Sequence, residues 1–463
     1  MDRRFGRILP ALAGLALCAA LAAGLVALAC QAPPNSPTPA YATASRSSAT
    51  ASPALPNCTP APTNSAPAPA PATSSPTPAP TQSPTSSRPV AISGIDWQAG
   101  EKWSEAWGVK AVVPLDDKVL AFGSALVPGR AGGGQVGAVW SSTDGLTWKR
   151  ITGPDTFSKA FSTISDASPD GRGGIFATVL VEAESGDYSC HELWHSADGL
   201  AWTPVELVPP KYPNALVVAG NARMTVVEGS VWVAGRSAGY VWSSADGTNW
   251  SSAELPPADG YQLGYAPNLA AGAGGFEILD TSDGNLPAHA WHSDDGRTWV
   301  KTPAPGLTGA DSPDDDHTSL LAVGAGFVAV GHVGSVEAPK PAAWWTLDGR
   351  TWTKSAMEDP GERFGCKSMC QPIVVTQVGS SLVAMGYAKK DTTDFYSPAA
   401  AVVVWTSEDA GRTWKLLGSA PAGVVPAFAA TFHSQPIVLD TTEATSSFRG
   451  SITWKPFKSP SAP

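Results

Sequence analysis

A carboxylate can serve as a general acid, a general base or a nucleophile, and this chain repeats one in the same setting six times. Asp144, Asp198, Asp246, Asp295 and Asp348 each stand in a Ser/Thr-x-Asp-Gly-x-x-Trp string, ending on Trp148, Trp202, Trp250, Trp299 and Trp352. Asp409 stands in a version one residue longer, Ser407-Glu-Asp-Ala-Gly-Arg-Thr-Trp414. Bond chemistry needs one asymmetric constellation, so six near copies indicate a structural device. Asp-Gly between two strands signals a tight turn, because glycine takes positive φ freely. The carboxylate can accept backbone N–H groups in that turn, and the Ser or Thr hydroxyl adds a further bond. The tryptophan supplies apolar area that pins the hairpin down.

The other chemistry-bearing groups are sparse. Cys366-Lys-Ser-Met-Cys370 suits a small local disulfide ring in an oxidising compartment, and its sulfurs with Met369 also suit a soft metal. Cys190 is either free or paired with Cys58. Asp314, Asp315 and Asp316 form the densest acidic run. Clustered carboxylates can hold Ca²⁺, but the run has the spacing of no defined calcium loop, so it is read as a solvated acidic loop. His191, His195, His289 and His292 are the closest-spaced histidines. Two of them, His195 and His292, directly follow a repeated tryptophan and so occupy repeat positions. No nucleophile triad and no phosphate loop is found. No catalytic residue, cofactor or metal is assigned.

The elements that carry the boxes follow from their period. The six Asp positions are 54, 48, 49, 53 and 61 residues apart, the length of a four-stranded sheet with its turns. Within a repeat, short β-branched and aromatic runs alternate with Gly, Asp and Pro punctuation. Four residues before each Asp stands a second tryptophan: Trp140, Trp194, Trp242, Trp291, Trp344 and Trp405. Trp454 lies 49 residues beyond Trp405 but has no box after it. Ser93-Gly-Ile-Asp-Trp97 lies 51 residues before Trp148 and offers the missing outer strand. The expected fold is all-β: a seven-bladed β-propeller of four-stranded antiparallel blades, with Trp97 and Trp454 closing the last blade from the two chain ends. Fourteen of the 18 tryptophans fit this two-per-blade scheme, which favours seven blades over six.

The repeat resembles the Asp-box, or BNR, repeat of β-propellers such as sialidases, sortilin-type receptor domains and photosystem assembly factors. The resemblance spans residues 93–456. It implies that the boxes lie on the outer rim, on the face away from the binding site. A sialidase-like glycosidase would also need an arginine cluster for the sugar carboxylate, a Tyr–Glu nucleophile pair and an acid/base Asp. The first arginine of that family sits in a Phe-Arg-Ile-Pro-like motif, and nothing from 90 to 130 resembles it. Arg150, Arg297, Arg350 and Arg412 lie in or beside the boxes.

Residues 1–29 read as an export leader, with Arg3, Arg4 and Arg7 before an apolar run. Ala27-Leu-Ala-Cys30 resembles a bacterial lipoprotein cleavage box, with Cys30 the lipidation site; an uncleaved transmembrane anchor is the other reading, since the run is long enough to span a bilayer. Residues 30–92 form a Pro/Ala/Ser/Thr-rich disordered spacer with Arg46 and Arg88 its charged residues. The propeller is expected over 93–456 and a disordered tail over 457–463. The chain carries −10; without the leader's three Arg and one Asp, and the spacer's two Arg, −14 remains. Such a propeller is a poor binder of nucleic acid.

Binding is expected on the long loops opposite the boxes, where Tyr212, Tyr261, Arg363, Lys389, Asp394 and Tyr396 supply aromatic and charged groups. The expected function is a monomeric, exported binding or scaffolding module held by its lipid anchor on the outer face of the cell membrane. Its expected partner is glycan or an envelope protein. A divergent sialidase-like glycoside hydrolase and an assembly factor for an envelope or membrane complex are the alternatives.

Overall fold

The computed structural model describes residues 98–100, 103, 105–127, 134–157, 161–182, 189–210, 213, 216–233, 236–257, 268–280, 289–302, 316–334, 340–361, 369–389, 401–420, 426–433, 435–441 and 451–455. Those residues form strands and turns, with no α-helix among them. The strands group into seven sheets. The first sheet is Ala106–Pro114, Val119–Leu126, Gln135–Ser142 and Lys149–Arg150. The second is Ser162–Pro169, Ile175–Glu182, Ser189–Ser196 and Thr203–Val205, and the third Val217–Gly220, Thr225–Val233, Arg236–Ser244 and Ser251–Glu254. The fourth is Asn268–Gly272, Gly275–Asp280, His289–Ser293 and Val300–Thr302, and the fifth Asp316–Val323, Gly326–Val333, Lys340–Thr346 and Thr353–Lys354. The sixth is Met369–Val378, Ser381–Lys389, Ala401–Ser407 and Thr413–Ala420, with Ala356–Met357 added in parallel as a fifth strand. The seventh is Pro426–Phe432, Gln435–Thr441 and Ser451–Lys455, and its outer strand is Gln98–Ala99.

Within each sheet successive strands pair antiparallel, and the first strand of each sheet touches the first strand of the next. These contacts run from the first sheet to the seventh and back to the first. Sheets arranged in this way are the blades of a β-propeller, which leaves only short sheet edges open. In the seventh sheet Gln98 pairs with Lys455 and Ala99 with Trp454. Trp97 lies outside the described residues.

The core lies between neighbouring sheets. Strand alternation gives each sheet two buried faces, so the second strands read as near-continuous apolar runs, such as Val119–Leu126 and Gly326–Val333. The third-strand tryptophans Trp242, Trp291, Trp344 and Trp405 are fully buried. Trp242 donates its indole N–H to Val208 O at 2.8 Å, Trp291 to Pro256 O at 3.0 Å and Trp405 to Glu358 O at 2.8 Å. Each thereby ties its sheet to the segment that leaves the fourth strand of the preceding sheet. Trp103 stacks on Trp140 and lies against Trp148, with ring centroids 5.4 and 4.7 Å apart.

Candidate functional site

The box turns share one geometry. Asp144 Oδ1 accepts Leu146 N at 2.7 Å and Thr147 N at 2.8 Å, and Ser142 Oγ donates to it at 2.9 Å while accepting Gly145 N at 2.8 Å. Asp198, Asp246, Asp295 and Asp348 repeat the two backbone bonds. In the sixth turn the extra residue, Ala410, takes the left-handed conformation at φ 58°, and Asp409 instead accepts Thr413 N at 2.9 Å. For Asp198, Asp246 and Asp348 the strongest influence is a backbone N–H, from Leu200, Asn249 and Arg350, and it holds the carboxyl below the usual range. For Asp144, Asp295 and Asp409 partial burial is the largest influence and pushes upward, but the turn's hydrogen bonds outweigh it and the carboxyl again sits low. Six carboxylates held anionic are poorly suited to donate a proton.

The second to sixth turns also dock on the preceding sheet. Gly199 approaches Leu120, Gly247 approaches Phe176, Gly296 approaches Val226 and Gly411 approaches Val328. These partners occupy one register position: the residue just before the one that pairs with the third-strand tryptophan. Around the seven sheets that position holds Leu120, Phe176, Val226, Glu277, Val328, Val383 and Ile437. Six are apolar and one is a carboxylate.

Glu277 organises the fourth-to-fifth sheet junction differently. Its side chain is fully buried. Oε2 lies 3.0 Å from His292 Nδ1, and Oε1 accepts Trp352 Nε1–H at 3.2 Å. The other side of the imidazole, Nε2, lies 3.1 Å from Asp294 Oδ1, and Arg350 donates to Asp294 Oδ2 at 2.8 Å. Trp202, Trp250 and Trp414 instead donate to the glycine carbonyl of their own turn. Burial, the largest influence, pushes Glu277 up to about 8, against the downward pull of His292 and Trp352. Burial pulls His292 down, but its bonds to Glu277 and Asp294 outweigh this and raise it. The two groups face each other at 3.0 Å in the buried junction, with Asp294 and Arg350 at the exposed end.

A lighter version occupies the second-to-third junction. His195 Nε2 lies 3.2 Å from Asp170 Oδ2, and Asp170 Oδ1 accepts Arg172 N at 2.7 Å and Gly174 N at 2.8 Å. The Arg172 guanidinium reaches the third sheet, donating to Thr225 Oγ1 at 3.3 Å and to Ala245 O. Asp166, on the inner strand of the second sheet, accepts Val218 N of the third at 2.8 Å, and burial lifts it to about 6. Burial pushes His191 down to about 4, so it is neutral at physiological pH.

Several residues singled out from the sequence fall elsewhere. Cys30, Cys366, Asp314, Asp315, Tyr212, Tyr261, Arg363, Asp394 and Tyr396 lie outside the described residues. Asp316 opens the first strand of the fifth sheet and Lys389 closes the second strand of the sixth; their side chains are outside the described set, as are those of Cys370 and Trp454. Cys190 is disulfide-bonded to a partner outside that set. Among the described residues no three His, Cys, Asp or Glu side chains gather into a metal-binding group. Sequence reasoning placed His195 and His292 on repeat positions but missed Asp170, Glu277 and Asp294. The available signal was Gly275-Phe-Glu-Ile-Leu-Asp280, a second-strand run with a carboxylate where its siblings are apolar.

No protein-family model matches the chain, and no curated protein matches it. Solved structures do. A phage phi92 endosialidase is similar at 10% identity and a TM-score of 0.43, covering 80% of this chain and 72% of that one. A subtype N11 neuraminidase-like protein of A/flat-faced bat/Peru/033/2010 (H18N11) is similar at 12% identity and 0.37, covering 80% and 95%. U3-55K is similar at 9% identity and 0.45, covering 78% and 98%. Likeness at this level carries no statement about activity, which rests on the residues themselves.

Proposed function

We propose that this chain is an exported, membrane-anchored β-propeller of seven blades that acts as a non-catalytic binding or scaffolding module. Its last blade is closed by the strands at the two chain ends, its boxes are Asp-box turns, and Cys30 and the spacer over 30–92 carry it on the outer face of the membrane. Its partner is glycan or an envelope protein, met on the loop face opposite the boxes.

The observation that supports this reading is where the arginines are engaged. A hydrolase acting on an acidic sugar has to gather guanidinium groups around a carboxylate. Here Arg350 holds Asp294, Arg412 donates to Asp409 O at 2.9 Å and lies 4.7 Å over the Trp345 ring, and Arg172 bridges two sheets. Arg150 faces Glu105 at 4.0 Å. Arg350, Arg412 and Arg172 thereby tie turns and sheets together, whereas Arg150 keeps Nε and Nη2 buried without a hydrogen-bond partner.

The test is a broad glycan array probed with the full chain purified in detergent, followed by turnover assays on each hit. Hits that share a terminal sugar and are not cleaved support a glycan-binding module. Cleavage of a hit overturns the non-catalytic reading. A blank array moves the search to crosslinking in intact cells, and the absence of any crosslinked envelope protein there would sink the proposal.

A further inference from the structure

The junction between the third and fourth sheets holds two carboxyl groups, Glu228 and Asp280, that the box scaffold does not use. Glu228 sits on the second strand of the third sheet, two residues beyond Val226, and pairs in register with Val241. At the same register the other sheets carry Phe122, Thr178, Leu279, Val330, Met385 and Leu439. Val226 and Val241 pack with Phe276, Ile278 and Trp291 of the fourth sheet. Strand alternation therefore aims Glu228 at the fourth sheet. The same alternation puts Asp280 on the face of Phe276 and Ile278, aimed back at the third sheet. Both side chains are 1% exposed. Neither carboxylate oxygen of Glu228 has a hydrogen-bond partner.

Such an arrangement is costly as it stands. A buried carboxylate without a donor loses its hydration and gains nothing in return. Burial is the largest influence on Glu228 and the neighbouring Asp280 adds to it; both push its carboxyl well above the ordinary range. His289 is directly opposite Asp280 in the fourth sheet, with its ring 5.9 Å from Trp291.

We propose that the gap between the third and fourth sheets binds a hard divalent cation such as Ca²⁺, with Glu228 and Asp280 as its carboxylate ligands. The chemistry of the donors selects the ion. Two carboxylates supply the charge, and oxygen donors favour Ca²⁺ or Mg²⁺ over thiophilic metals. Backbone carbonyls and water would complete the shell, since among the described residues no three His, Cys, Asp or Glu side chains gather at one point. The ion would fasten two blades together at the end of the strands remote from the boxes, where Asp280 closes its strand.

The experiment uses the full chain stripped with a chelator. Calorimetric titration with CaCl₂ and MgCl₂ is run beside thermal unfolding with and without each ion. Expected are saturable binding of one Ca²⁺ per chain and a Tm that rises with Ca²⁺ concentration. Glu228→Gln should weaken that binding at least about tenfold and remove the Tm response, with an unchanged far-ultraviolet circular dichroism spectrum. Asp280→Asn should do the same, which guards against one variant failing to fold. Calcium binding of undiminished affinity in folded Glu228→Gln, or no saturable binding of either ion by the stripped wild-type chain, overturns the proposal. A Glu228→Gln chain more stable than wild type and equally indifferent to Ca²⁺ would show that the pair merely shares a proton.

Discussion

The Glu277–His292 pair makes folding stability depend on pH with a defined sign. Glu277 rises from an ordinary 4.5 to about 8 when buried in the folded chain. The folded state therefore binds more protons than the unfolded state across that interval. Stability is fully present below about pH 4.5 and is lost as pH rises toward 8, by about 1.4 kcal/mol per pH unit and about 5 kcal/mol in all. His292 acts in the same direction. Its folded value is raised, so its contribution is complete below the unfolded value near 6.5 and disappears as pH rises through the folded one. Because the two groups are in direct contact and titrate as a pair, their effects are counted once rather than added.

The perturbation that isolates this effect is Glu277→Val with His292→Ser. It recreates the pair Val226 and Ser243, which occupies the same register in the third sheet. Urea unfolding of the full chain, followed by tryptophan fluorescence at pH 5 to 9, gives the difference between wild type and variant. Asp166 and Glu228 titrate in both chains and cancel. The difference should favour wild type most at pH 5 and fall by several kcal/mol by pH 9. Curves that stay parallel within about 1 kcal/mol would refute the raised folded-state values of Glu277 and His292.

Three further outcomes follow from the same geometry. Gly349→Ala places a Cβ 1.9 Å from His292 Nδ1 at φ +65°, whereas Gly324→Ala at φ +59° meets nothing within 4 Å. Both lose roughly 1–2 kcal/mol to the backbone conformation, and the first should lose at least about 2 kcal/mol more by urea unfolding. Asp295→Ala removes the acceptor of Arg297 N and Thr298 N and should cost roughly 1–3 kcal/mol, with partner binding unchanged in a pull-down. Deleting residues 91–99 removes the strand that pairs with Ser451–Lys455 and should lower Tm by several degrees in a calorimetric scan.

What was legible in the sequence is what the repeat restates. Each box carries its turn, its glycine and its tryptophan within seven or eight residues, so the period and the strand pattern come from local signals that recur. The junction chemistry has no such signal. Glu277 lies 14 residues before Trp291, but its counterpart Val383 lies 22 before Trp405, because the loop between the second and third strands varies in length. Aligning on the boxes therefore leaves the second strands out of register, and Glu277 stands out among its apolar siblings only when the second strands are aligned on their own pattern. Its partners are also remote: Trp352 is 75 residues from Glu277, and Arg350 is 56 from Asp294. Only the stacking of one sheet on the next brings them together.

Sorting the junctions by their chemistry separates the two sides of the ring. Leu120 faces the second box, Val328 faces the sixth, Val383 packs with Val438, and Ile437 packs with Ala121 and Trp140. Those junctions show that apolar contact is enough to dock one blade on another. The junctions from the second sheet to the fifth instead place buried Asp170 against half-buried His195, and bury Glu228 with Asp280 and Glu277 with His292. Each such group gives up hydration that a valine would not. A repeat that can be built apolar, yet places ionisable pairs at three successive junctions, departs there from what stability alone requires. Departures of that kind concentrate where a protein binds or responds to something. The third and fourth blades, flanked on both sides by polar junctions, are therefore where ligand binding should first be sought, by measuring whether a bound ligand shifts the pH dependence set by Glu277 and His292.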